Sequence, residues 1–118
     1  MTNALFAVTF DCADAAAVAR FWADVLGRQM AEDANSEHAV LLPGDGDASG
    51  PRITFNRVPE PKTVKNRMHL DVVSDAYAAE TERLLSLGAR RLGEVERGEI
   101  RWTTFADIEG NEFDLIAG

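Results

Sequence analysis

His69 and Asp71 stand two residues apart in an alternating apolar and polar segment, and Asp114 stands in a second such segment near the carboxyl end. Residues two apart on a β-strand share one face of the sheet. An imidazole and carboxylates on a common face can share a proton, bind a divalent metal or hydrogen-bond a polar ligand. His69 with Asp114 as its partner is therefore the first catalytic pair this chain offers, with Asp71 as a ligand contact beside them. Thr54 and Asn56 are the polar positions of another alternating segment, opposite Ile53 and Phe55, and Asn56 is a further ligand contact. Trp102 follows the charged turn Glu96-Arg97-Gly98-Glu99 and reads as a cleft wall, with a dimer contact or a core position as alternatives.

Other chemistry-bearing residues carry less. His38 follows Asn35-Ser36-Glu37 at the start of a hairpin strand, with no acidic partner that the sequence can place. Cys12 reads as a small buried apolar residue. Gly44-Asp45-Gly46-Asp47 has the look of a calcium loop but lacks the regular acidic ladder and closing Glu, so a turn is the better reading.

The elements that must position these residues come in two copies. Asp14 opens an apolar helical stretch that ends on Leu26-Gly27, and 61 residues later Asp75 opens another that ends on Leu87-Gly88. Val18, Phe21, Trp22, Val25 and Leu26 fall on one face of a 3.6-residue period; Tyr77, Thr81, Leu84 and Leu85 form the matching stripe of the second helix. Asp14 and Gly27 suit the ends of the first helix; Ser74 or Asp75 and Gly88 suit those of the second. An alternating strand precedes each helix, over residues 5–12 and 68–73. Further strands are expected at Gln29 to Glu32, His38 to Leu42, Arg52 to Val58, Arg90 to Val95, Arg101 to Ala106 and Glu112 to Ile116. Turns are expected at 43–47 and 109–111.

This pattern predicts an α+β fold of two tandem βαβββ modules whose mixed sheet curves around a cleft. The single domain spans 1–118, with module one about 1–60 and module two about 64–118. Pro59 and Pro61 stiffen the connector between them.

The composition bounds the partners. Twenty acidic against twelve basic residues give a net charge of −8, which disfavours nucleic acid and anionic membrane surfaces and suits a cationic or aromatic-bearing small molecule. The single cysteine, the lack of a long apolar segment and the polar amino terminus predict a soluble, cytoplasmic protein.

The run Arg57-Val58-Pro59-Glu60-Pro61-Lys62-Thr63-Val64-Lys65-Asn66-Arg67-Met68-His69-Leu70-Asp71 closely resembles the glyoxalase-like domain proteins. Arg101-Trp102-Thr103 and Ala106-Asp107-Ile108-Glu109-Gly110-Asn111-Glu112-Phe113 strengthen the resemblance, as do Phe10-Asp11-Cys12-Ala13-Asp14 and Phe21-Trp22-Ala23-Asp24-Val25-Leu26-Gly27. These proteins belong to the vicinal oxygen chelate superfamily, with glyoxalase I, bleomycin-resistance proteins and extradiol dioxygenases. The resemblance implies the two-module fold, a homodimer and a small-molecule site, and in some relatives a divalent metal held by one donor near each end of each module. Here the opening slot of the first module falls at Ala7, or at Val8 one residue on, and its closing slot near Asn56 or Thr54. The second module offers His69 and Asp114. On that donor set no metal ligand is assigned and no cofactor is expected, with a divalent metal as the alternative.

Three functions follow. One is a metal-independent small-molecule-binding protein of bleomycin-resistance type, with Ala7, Asn56, Asp71 and Trp102 around the ligand. Another is a metal-assisted lyase or isomerase, or a ring-modifying, dioxygenase-like enzyme, working through His69 and Asp114. The third is a dimeric structural or regulatory module with a degenerate pocket. Glyoxalase I itself is disfavoured, because its chemistry leans on a complete metal site.

Overall fold

The computed structural model describes residues 2–44 and 50–118 of the chain, so part of the expected 43–47 turn and of the calcium-loop motif lies outside the described residues. The chain divides into two compact units, Met1–Pro61 and Lys62–Gly118.

In the first unit β1 (Ala7–Cys12) leads into α1 (Ala15–Leu26), followed by β2 (His38–Leu41) and β3 (Arg52–Arg57). The sheet order is β1-β3-β2, with β1 parallel and β2 antiparallel to β3. Alternation decides its two faces. Phe10, Ile53, Phe55, Ala39 and Leu41 point toward α1, whose Val18, Phe21, Trp22 and Val25 are buried. Phe10 stacks on Phe55 at 5.4 Å and on Trp22 at 6.2 Å between ring centres, which pins the helix to the sheet. The opposite, open face carries Ala7, Thr9, Asp11, Thr54, Asn56 and His38.

The second unit holds β4 (Leu70–Ser74), α2 (Tyr77–Ser86), β5 (Arg90–Arg97), β6 (Ile100–Ala106) and β7 (Glu112–Ala117), with sheet order β4-β7-β6-β5. Again β4 and β7 are parallel and the remaining pairs antiparallel. Phe105, Phe113, Leu115 and Leu84 form its core, and the Tyr77 hydroxyl bonds Thr103 on the same face. The second unit follows the βαβββ plan in full and the first follows it with one strand reduced to a bridge, so the α+β expectation holds. Among the described residues no helix is long and apolar enough to cross a membrane.

The details correct several expectations. The Gln29 to Glu32 strand is a single bridge, Met30 to Leu41, held by the Ala31 N–H on the Val40 carbonyl and the Leu42 N–H on the Gln29 carbonyl. The chain turns away at once, because Asn35 Oδ1 accepts the Glu37 and His38 N–H groups in a local turn. β1 starts at Ala7 and β4 at Leu70, later than the alternation of 5–12 and 68–73 suggests: Leu5, Phe6 and Met68 are exposed and have no core to pack against. Asp14 does cap α1, accepting the Ala17 N–H, and Gly27 ends it in the left-handed conformation. The N-cap of α2 is instead Ala76, with no side-chain cap, because Ser74 Oγ takes the Ala76 N–H in a turn before the helix. Only Leu84 of α2 is buried, and Leu85 falls off the expected stripe, 39% exposed.

Candidate functional site

Local turn chemistry sets up the site in the second unit. Asp107 is buried at the end of β6, and its Oδ1 accepts the N–H groups of Glu109 and Asn111 while the Asn111 amide reaches its Oδ2 at 3.0 Å. Gly110, at φ 88°, lets the chain reverse there. The turn delivers Glu112 to the start of β7, where its carboxylate meets Lys62 Nζ at 3.0 Å and the Asn66 N–H at 3.4 Å. The Asn66 side chain closes the clamp, accepting the Glu112 N–H and donating to Asn111 Oδ1. Burial pushes the Glu112 carboxyl up, but the hydrogen bonds from Lys62 and the Asn66 backbone outweigh it, and its pKa settles below the ordinary carboxylate value. Residues 62–66 thus form a strap fastened beside the sheet.

Under that strap lies a cleft of about 510 Å³, lined by Lys62 to Lys65, His69, Leu92, Thr104, Glu112 and Asp114. Two of these, Asp114 and Thr104, belong to a row on three neighbouring strands: Asp71 on β4, beside the cleft and outside its lining, opposes Asp114 on β7, which opposes Thr104 on β6. Thr104 Oγ1 donates to Asp114 Oδ1 at 2.6 Å. The other oxygen, Oδ2, lies 3.8 Å from His69 Nδ1, and Asp71 Oδ1 lies 3.1 Å from the same nitrogen. Asp114 is the most enclosed of the three side chains, 17% exposed against 40% for His69 and 53% for Asp71.

Ligand atoms of His69, Asp71 and Asp114 all lie within 4.8 Å of one another. Among the described residues no other group of three or more His, Cys, Asp or Glu side chains meets that test. One imidazole nitrogen and two carboxylates are a donor set that suits a divalent first-row metal, with positions left for water or substrate. The residues present therefore fit such an ion, and Asp71 raises the second module's donors from two to three.

The other expected site residues lie elsewhere. Trp102 shares the open face with Thr104 but sits in the next row, opposite Ile116 and Val95, with the Arg97 guanidinium 5.7 Å from its ring centre. It does not line the cleft under the strap. Ala7 and Asn56 are on the open face of the first unit's sheet. There Asn56 opposes both Asp11 and His38, and its Oδ1 is 2.7 Å from His38 Nδ1. The partner that the sequence could not place for His38 is thus an amide rather than an acid.

The strands also align the two modules. β1 and β4 end at Cys12 and Ser74, and the helices begin at Ala15 and Tyr77, a spacing of 62, one more than the caps and glycines suggest. At that spacing Ala7 matches His69 and Thr9 matches Asp71. Because Thr9 pairs with Thr54 as Asp71 pairs with Asp114, Thr54 takes the place of Asp114. Val8 faces the helix and drops out. The first module therefore carries an alanine and a threonine where the second carries a histidine and an aspartate.

A family model for the glyoxalase-like domain matches residues 7–116. The chain belongs to the glyoxalase-like domain family. Comparison with curated proteins finds no match. Among solved structures it is similar to a mutant of the fosfomycin resistance protein FosX from Listeria monocytogenes, complexed with Mn(II) and 1S,2S-dihydroxypropylphosphonic acid. That likeness has a TM-score of 0.79 at 21% identity and covers 100% of this chain and 92% of that one. A glyoxalase/bleomycin resistance protein/dioxygenase family enzyme from Burkholderia phytofirmans PsJN matches with a TM-score of 0.78 at 20% identity, covering 98% of both chains. A glyoxalase-related enzyme from Fulvimarina pelagi matches at 0.73 and 18% identity, over 99% of this chain and 89% of that one. These likenesses establish the vicinal oxygen chelate fold for this glyoxalase-like chain, which is what its sequence motifs imply.

Thr104, Glu112 and the strap lysines escape a reading of the sequence by candidate chemistry. The signal for Thr104 is its parity with Trp102, which puts both on the open face. The signal for the strap is that Lys62 and Lys65 are the only lysines in the chain.

Proposed function

We propose that this glyoxalase-like chain, acting as one domain over 1–118, binds a small molecule in the cleft of its second module. The observation that carries this reading is the convergence of His69 and Asp114 in the cleft with Asp71 beside them, Thr104 fixing one of the carboxylates. Polar groups converging in a lined cleft are what a small-molecule site requires. A fragment screen followed by amide shifts tests it. Saturable shifts centred on His69, Asp71 and Asp114 are expected, and a screen that includes aromatic amines, oxyanions and divalent ions but moves none of these amides would sink the reading.

A second reading, a metal-assisted lyase or isomerase, is favoured by the third donor that Asp71 supplies. His69 Nδ1 and the carboxylates of Asp71 and Asp114 would hold a divalent ion, which when bound acts as a Lewis acid on a ligand oxygen. Asp114 keeps Oδ2 available because Thr104 occupies Oδ1. Where no metal binds, Asp71 orients the imidazole through Nδ1, leaving Nε2 to take a proton from the ligand. Thermal shifts with Mn²⁺, Zn²⁺, Ni²⁺ and Fe²⁺ separate the two readings. A stoichiometric metal lost in His69→Ala makes the enzyme reading primary, and no shift with any ion leaves the trio as ligand-orienting groups.

A further inference from the structure

The chain has a net charge of −8 and two lysines, and both lysines lie in the strap. Arg57, Lys62, Lys65 and Arg67 against Glu60 make 57–67 locally basic in an acidic protein. The two lysines are used differently. Lys62 is neutralised by Glu112 at 3.0 Å, and Asn66 is held by Glu112 and Asn111, so the strap is anchored on both sides of Lys65. Lys65 lines the cleft with His69, Thr104 and Asp114, and has no hydrogen bond or ion pair among the described residues. Anchoring the flanking residues lowers the ordering cost of using Lys65 on a ligand.

The cleft is therefore polarised. Asp114 spends Oδ1 on Thr104, and its Oδ2 and the Asp71 carboxylate converge on His69. The acidic charge is concentrated around His69, and the wall formed by the strap offers an ammonium with three donors and no acceptor.

We propose that Lys65 is a specificity-determining residue that recognises an oxyanion group of the ligand, a carboxylate, phosphate or phosphonate. The ligand of this cleft then carries an oxyanion at one end and, at the other, a group that His69 and Asp114 accept. This rests on the cleft being the binding site and adds an oxyanion to the cationic or aromatic-bearing ligand that net charge alone suggests.

Having only two lysines makes the test direct. Reductive methylation with ¹³C gives one signal for each lysine and one for the amino terminus, keeps the charge, and allows titration with inorganic phosphate, methylphosphonate and acetate. The Lys65 signal, assigned by its absence in Lys65→Arg, is expected to move saturably with at least one probe while Lys62 moves little. Whichever probe binds identifies the class of oxyanion. On unmethylated protein followed by amide shifts, Lys65→Met should weaken that probe about tenfold, the worth of a charge-assisted hydrogen bond. Lys65→Arg should restore binding to within a few-fold. No saturable movement with any of the three anions, or equal affinity in Lys65→Met, overturns the proposal. The fragment screen on the wild-type protein separates it from the broader reading: saturable shifts at His69 and Asp114 with no movement of Lys65 under any of the three anions leave the cleft as the site and remove only the oxyanion, whereas no shift with any fragment, ion or anion removes both.

Discussion

Asp114 is the residue on which the site turns, because it is the most enclosed of the three converging groups and the one with a fixed orientation. Replacing Thr104 with valine keeps the shape of β6 and removes only the hydroxyl that holds Asp114 Oδ1. If the trio binds Mn²⁺, Thr104→Val should weaken that binding by about tenfold, as losing an outer hydrogen bond to a ligand does, with little change in the melting temperature. Unchanged Mn²⁺ affinity measured by calorimetry would show that Asp114 needs no such support. His69, Asp71 and Asp114 are legible in the sequence because strand alternation alone puts them on one face. Thr104 is not, since a threonine in a strand is ordinary until the register sets it opposite Asp114. Asp71 illustrates the other limit: alternation gives its face, but only the parallel register with Asp114 makes it a third metal donor beside His69 and Asp114.

At the level of elements, the two helices are unequal. α1 has an Asp14 cap and buries seven residues, whereas α2 has no side-chain cap and buries Leu84 alone. Asp14→Ala should cost about 1 kcal/mol of stability in chemical denaturation, since it leaves the Ala17 N–H without its carboxylate. The helices are legible because their apolar period is long. The bridge at Met30 is shorter than the strand expected over Gln29 to Glu32 because four residues carry no information about whether a partner strand continues. β5 shows the reverse. It is exposed throughout, but its register shifts between Arg91 and Gly93 and it is rich in charge, a combination that keeps an edge strand from pairing indiscriminately. The strap adds a pH dependence. The Glu112 carboxyl has a depressed pKa in the folded chain, so its contribution is fully present above the unfolded value of roughly 4.3 and is lost as pH falls through the folded value. Amide exchange at Asn66 should therefore speed up on acidification below about pH 4 beyond its intrinsic rate. Glu112→Gln should show the faster exchange already at pH 7; equal protection of Asn66 in that variant would mean that the strap is held by Asn111 and its own backbone instead.

Across the whole molecule, the sheet of each unit has one face covered by its own helix and one face that its own helix does not cover. In the second unit that open face carries Val73, 68% exposed, beside Val95 and Ile116, and the rim adds Met68 and Ile100. Apolar side chains on an uncovered sheet face need a cover, and a second copy of the chain is the cover we propose, as a symmetric homodimer. Neither the pairing nor its geometry is legible in the sequence, because alternation distinguishes two faces but not which of them water touches. The same limit applies to the ligand, because the net charge of −8 says nothing of where the two lysines sit, and both lie in the strap. Sedimentation at on the order of 10 μM should give twice the 12.9 kDa chain mass. Val73→Glu places a charge on the open face without touching the core and should shift that species toward the chain mass while leaving the melting of α1 and its sheet unchanged. A wild-type monomer across the micromolar range would mean that the open face is covered by ligand or left wet. Retention of the dimer in Val73→Glu would place the contact on other exposed residues, Leu5 and Phe6 being the next to test.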